Sequence, residues 1–220
     1  MLHAAQIWLV AAIESHSPVA TLMQTAWAWP IVESLHFIGL CLLVGAIGSF
    51  DLRLLGVGNA AAVELGSAMA TIERDGAPWL TIDCGGEGLT AYQQAYAGMP
   101  MALFMTHAHM DHIAGFERLF VDSYFDEVRR GQVRLYVPVT LLPLLHQRVA
   151  SYPNALAEGG VNFWDAFRVI PVSDHFWHDG VRLEVFPVRH HWPDTAFGVR
   201  LRGSLVWTGD TRPIPEMLAK

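Results

Sequence analysis

The sequence predicts an α/β domain behind a hydrophobic helical leader, and three observations predict it. An apolar run from Met101 to Met105 reads as a buried strand, and Ile113, Phe116, Leu119 and Phe120 behind it repeat at helical spacing. Short apolar strands separated by polar turns recur from Ser67 to Thr208. The first fifty residues, by contrast, contain neither Lys nor Arg.

The leader comes first. His3 to Glu14 is a short apolar helix candidate that ends at the Ser15–Pro18 break, and Pro30 suits the first turn of a second helix. Ser34 to Phe50 is a stretch of 17 residues without a formal charge, and Ile31 and Val32 extend it. A transmembrane span over about residues 31–50 is therefore expected, with Trp27 and Trp29 at one interface and Asp51 and Arg53 closing the other. Charge asymmetry would then leave everything after Arg53 in the cytoplasm, anchored to the membrane. The competing reading is a buried helix of a soluble core. A cleaved signal peptide fits poorly, since no basic segment precedes the run.

The boundary is expected near residue 54, giving a leader over 1–54 and a folded domain over 55–220. Ser67 to Glu73 and Trp79 to Asp83 read as strands joined across Asp75-Gly76, a favoured hairpin dipeptide. Val133 to Val137, Phe167 to Val172, Val181 to Val188 and Ser204 to Thr208 are further strands, and Leu141 to Val149 is a helix. His175 and His178 flank the Asp179-Gly180 turn and are expected to face solvent, and His146 reads as a helix residue without a ligand role.

The chemistry is concentrated between Met105 and Ile113. His107, His109, Asp111 and His112 place four metal-competent side chains within six residues. In an extended turn His107 and His109 project to one side and reach one ion, while Asp111 and His112 fall where the chain bends into the helix and face a second. A solvated His-rich loop is the alternative, but a chance match to this pattern is on the order of one in a thousand for such a motif. Val188-Arg189-His190-His191 follows a strand, and two histidines compete there for the next ligand position. Pleat alternation sends His190 and His191 to opposite sides, so one of them faces the ion and the other is left to contact substrate or carry protons.

Bulk composition narrows the substrate. Lys and Arg number 14 against 21 Asp and Glu, a formal charge of −7. Binding a nucleic-acid backbone needs clustered cations, so a small-molecule substrate is expected before a polynucleotide. The two cysteines, Cys41 and Cys84, suit no disulfide framework. Oligomeric state is not readable.

Thr106 to His112 (THAHMDH), Leu80 to Gly86 (LTIDCGG), FPVRHHWPDT and LVWTGDTRP together resemble the metallo-β-lactamase superfamily of metal-dependent hydrolases. The resemblance covers about Leu55 to Lys220. It implies a four-layer αββα fold, here incomplete at the C-terminus, because the family's last histidine lies beyond Lys220. It selects His190 as the strand-end ligand and Asp210 as the carboxylate bridging two ions, and it gives Asp83 a supporting role behind the ligands. The implied first site is His107, His109, His190 and Asp210, and the second is Asp111, His112 and Asp210.

The implied activity is hydrolysis of an ester, amide or phosphodiester by metal-activated hydroxide. Asp111 would orient the nucleophile, and His191 is the candidate for leaving-group protonation. One or two zinc ions are expected, with iron or manganese as alternatives. Two competing readings are an iron-dependent thiol-oxidising relative and a truncated, membrane-tethered remnant without activity. The segment WPIVESLHFIGLCLLVGAIGSFDLRLLG separately resembles the opening of a family of small multi-span bacterial membrane proteins of unknown function. Both resemblances meet in Leu52–Gly58, which reads equally well as the tail of the membrane segment and as the first strand of the domain, as in a gene fusion or an artificial join. An artificial join would make the domain simply cytoplasmic.

Overall fold

A computed structural model describes residues 50–58, 63–149, 162–190 and 192–213. The chain divides into two units between Ser49 and Phe50, and every described element belongs to the second. The expected span at about 31–50 lies outside the described residues except for Phe50. No helix among the described residues is long and apolar enough to cross a membrane. The first strand, β1, occupies Phe50–Gly56. It includes Leu52–Gly56 of the stretch that reads equally well as leader tail and as first strand, and its first residue, Phe50, begins the second unit. The reason lies in pairing: Phe50 through Leu54 sit opposite Arg74 through Ala70 of β2 (Met69–Arg74) in an antiparallel ladder.

β2 turns into β3 (Ala77–Ile82) across Asp75 and Gly76, whose φ values of 54° and 76° are what a tight two-residue hairpin requires. From there the chain alternates. Helix α1 (Gly86–Tyr96) leads to β4 (Ala102–Phe104), and helices α2 (Met110–Ile113) and α3 (Phe116–Phe125) lead to β5 (Val133–Pro138). Helices α4 (Leu142–Val149) and α5 (Phe163–Ala166) then lead to β6 (Phe167–Val172). Strands β3 to β6 are parallel and consecutive, completing a six-stranded sheet in the order β1-β2-β3-β4-β5-β6. Parallel crossovers share one hand, so these helices cover one face of the sheet. Leu89, Phe116, Leu119 and Phe120 are buried there.

The opposite face meets a second, antiparallel sheet of order β10-β9-β8-β7. Its strands are β7 (His175–His178), β8 (Val181–Pro187), β9 (Phe197–Leu201) and β10 (Leu205–Trp207). Phe176 lies between the sheets, its ring 5.6 Å from Phe104 and 4.3 Å from Tyr136. Among the described residues this makes three layers: helix, sheet, sheet. All five described helices precede β6, so the fourth layer of the expected αββα arrangement is not among them. This is a mixed α/β fold of two sheets.

His178 departs from expectation. It is fully buried, not solvent-facing. Its Nε2–H donates to the Trp79 carbonyl at 2.9 Å and its Nδ1 accepts from the Tyr136 hydroxyl at 2.9 Å, which ties the second sheet to the first. His175, half-buried, pairs with Asp174. His146 packs beside Phe163 and Trp164.

Candidate metal centre

The cluster forms where strands of both sheets end on the same side. Beyond Phe104 the chain stays extended through Met105 and Thr106, and His107 bridges to Ala196, just ahead of β9. Phe197 N–H donates to the Thr106 carbonyl at 2.9 Å, so the motif loop is stitched to the second sheet. On that sheet, the loop after β8 carries His190 and the loop after β10 carries Asp210. Arg212 N–H donates to the Arg189 carbonyl at 2.7 Å, which binds the two loops together. Gly209 has a φ of 58°, and a side chain there would press on Thr106 at 3.3 Å. A left-handed residue at this position is what turns the chain from β10 to aim Asp210 back at the motif.

Three imidazoles and a carboxylate converge. His109 Nδ1 lies 3.1 Å from His107 Nε2 and 3.2 Å from His190 Nε2, and His190 Nε2 lies 3.6 Å from Asp210 Oδ2. One potential ligand atom from each of His107, His109, His190 and Asp210 falls within 4.8 Å of the others, and the same holds for Asp111, His112 and Asp210. Asp210 belongs to both groups. Donors held 2.0–2.1 Å from one tetrahedral ion stand about 3.3 Å apart, so the observed nitrogen spacings suit a shared cation.

Hydrogen bonds behind the cluster orient the rings. Asp83, buried and with a φ of 63°, accepts from the Thr106 backbone N–H at 2.7 Å and from the Thr106 hydroxyl. His112 Nδ1–H donates to Asp83 Oδ2 at 2.7 Å. Because the Thr106 proton goes to Asp83, its Oγ1 accepts from His107 Nδ1–H at 3.0 Å. Both assignments leave an Nε2 lone pair facing the cluster. His112 Nε2 is buried and makes no hydrogen bond, with Asp210 Oδ1 3.4 Å away. A buried lone pair without a donor is costly, and a cation beside it removes that cost. The donor set therefore fits a divalent metal.

The electrostatics agree. Burial opposes the charged form of His112, yet the hydrogen bond and charge of Asp83, with Asp210 and Asp111 beyond, outweigh it and raise its pKa above the ordinary value. The pocket favours positive charge. Cys84, next to Asp83, is a free, buried thiol whose pKa burial pushes up, and it belongs to neither ligand group. His191 lies outside the described residues.

The sequence profile of the family described as Anti-Pycsar protein Apyc1 matches residues 50–220. The chain belongs to that family. An Apyc1 protein of Saccharibacillus brassicae is 30% identical over 173 residues, covering 76% of this chain and 70% of that one. A ribonuclease Z of Mycobacterium sp. (strain KMS) is 27% identical, and the chain spans 62% of its length. Among solved structures, the metallo-β-lactamase fold protein YhfI from Bacillus subtilis superposes with a TM-score of 0.59 at 14% identity. That match covers 77% of this chain and 66% of YhfI. The Apyc1 match begins at the first residue of β1, and the YhfI superposition assigns the two-sheet arrangement to the metallo-β-lactamase fold. The superfamily resemblance drawn from the motifs holds.

Two positions escaped the sequence reading. Thr106 relays the Asp83 carboxylate to His107, and the threonine directly before the first motif histidine was its signal. Ala196 pairs with His107, and nothing in the local sequence indicates it.

Proposed function

We propose that this chain is a metal-dependent phosphodiesterase whose substrate is a cyclic nucleotide. The observation that carries the reading is the shared position of Asp210 between two ligand groups, His107/His109/His190 on one side and Asp111/His112 on the other. The family name supports a cyclic nucleotide as substrate, and the ribonuclease Z relative supports phosphodiester chemistry. The formal charge of −7 supports a small substrate over a polynucleotide.

His107, His109 and His190 would hold one ion, Asp111 and His112 the other, with Asp210 between them. Divalent zinc there supplies Lewis-acid activation of water and neutralises charge on the phosphoryl oxygens. Asp111 accepts the proton of the attacking water. Thr106 and Asp83 keep His107 and His112 in the tautomers that face the site. One P–O ester bond is broken by water: the hydroxyl stays on phosphorus and a proton goes to the departing sugar oxygen. His191, next after His190, is the proposed donor of that proton.

The test is chromatography of 3′,5′-cyclic nucleotides incubated with the purified chain and zinc or manganese. Linear nucleoside monophosphate is expected from wild type and not from His107→Ala. Intact cyclic nucleotide with either metal overturns the assignment.

A further inference from the structure

We infer that Thr140 is a positioning residue of the metal centre, holding the loop that carries His190. It acts through the ligand role proposed for His190, and the inference rests on that reading.

His190 lies in the connection from β8 to β9. At the foot of that connection the Val188 N–H donates to the Ala196 carbonyl at 3.0 Å. Above it a ligand residue needs other supports, because a slack loop would lose conformational freedom each time an ion bound. The first leg is held by the neighbouring loop: Arg189 N–H donates to Thr211 Oγ1 at 3.2 Å, and the Arg189 carbonyl accepts from Arg212 N–H. The second leg is held from the other sheet. Thr140 Oγ1–H donates to the Asp194 carbonyl at 2.6 Å, a contact across 54 positions of sequence. Within that leg the Thr195 hydroxyl donates to the Trp192 carbonyl at 2.7 Å, so residues 192–195 move as one turn. Restraining Asp194 restrains the turn, and His190 lies just before it.

The anchor is firmly mounted. β4 and β5 are parallel neighbours, so the chain leaves β5 on the side where the histidine motif leaves β4. Thr140 sits in the single turn Val139–Leu141, and Val137 and Leu141 near it are buried in the core. Its backbone is fixed while its hydroxyl reaches the loop. The acceptor also needs support. Asp194 has a φ of 59°, a left-handed conformation that persists in a residue with a side chain where surrounding contacts hold it. Beyond it, Ala196 pairs with His107. The leg is thus fixed to the strand of the first ligand through Ala196 and to the neighbouring strand through Thr140. From that frame His190 Nε2 comes within 3.2 Å of His109 Nδ1.

Serine keeps the donor of Thr140, whereas valine keeps its shape without the donor. The experiment is competition titration of zinc and cobalt(II) against a chromophoric chelator, using the full chain as wild type, Thr140→Val, Thr140→Ser and His190→Ala. Thr140→Val is expected to bind the first ion about three- to tenfold more weakly, the scale of one hydrogen bond. Thr140→Ser is expected to bind as wild type does. The visible spectrum of bound cobalt reports the donors around it, and it should change in Thr140→Val and be restored in Thr140→Ser. Melting curves of the metal-free proteins should coincide, which a purely structural role for Thr140 would not give. Wild-type affinity and cobalt spectrum in Thr140→Val, or equal impairment in Thr140→Ser, overturns the inference. Weakened binding in His190→Ala with none in Thr140→Val removes the role of Thr140 alone. Wild-type binding in His190→Ala removes His190 from the ligand set, and the inference falls with it.

Discussion

Oδ2 of Asp83 stands 2.7 Å from Nδ1 of His112, a buried contact across 29 positions of sequence. It decides which nitrogen of His112 faces the cluster. Through Thr106 the same carboxylate also decides the orientation of His107.

Asp83→Asn tests that control. Asn tolerates the left-handed backbone at this position, so the fold should survive, but half of the acceptor is replaced by a donor facing Thr106 or His112. Metal affinity should fall about 10–100-fold, the usual cost of losing an outer partner of a ligand histidine. Competition titration against a chromophoric chelator measures it, with circular dichroism as the folding control.

His107→Ala removes a ring that His109 and Thr106 both contact. Purified wild type should contain at least about one zinc per chain and the variant markedly less, since three of the four donors for the first ion do not make a closed site. Elemental analysis of protein prepared without added metal is the measurement. Equal content in both would remove His107 from the ligand set.

Acid should loosen the contact between the sheets at His178. Burial lowers its pKa below the ordinary 6.5, with Arg134 adding to the effect and the Trp79 carbonyl and Asp179 opposing it. A lowered folded-state value means that the unfolded chain binds the proton more readily. Its contribution is therefore fully present above pH about 6.5 and is lost as pH falls toward the folded-state value. Melting temperatures at pH 7.5 and 5.5 should drop on acidification in wild type. His178→Gln should be less stable at pH 7.5 but show a smaller drop.

Phe104 is fully buried and stacks on Phe176 across the two sheets. Phe104→Ala should cost about 3–5 kcal/mol, by lost transfer and an unfilled cavity. Urea denaturation followed by tryptophan fluorescence checks this.

Gly209→Ala places a methyl group at a φ of 58°, 3.3 Å from Thr106 Oγ1. The strain is about 1 kcal/mol or more, and relieving it displaces Asp210, the carboxylate common to both ligand groups. Metal stoichiometry should fall while the fold is kept, as read by elemental analysis and the melting curve.

Local sequence determined a good deal of this protein. The hairpin across Asp75-Gly76, the strand before His107 and the strands from Val133, Phe167 and Val181 follow from turn chemistry and apolar patterning, which act over a few residues. His107, His109, Asp111 and His112 were visible as a group because they are adjacent in the chain. Other elements left no local trace: α1 has a weakly amphipathic face, β9 runs Phe-Gly-Val-Arg-Leu around a glycine, and β7 has just four residues. Local patterning could not place His190 and Asp210, which the family resemblance alone selected; tertiary structure brings His190 to His109 from 81 positions away and puts Asp210 in both ligand groups. It also buried His178, and by pairing Phe50–Leu54 with β2 it decided a stretch that the sequence left open between leader and strand. The physical reason is common to these cases. Burial and ladder pairing depend on what a distant segment presents, and hydrophobic pattern within one segment carries no information about its partner.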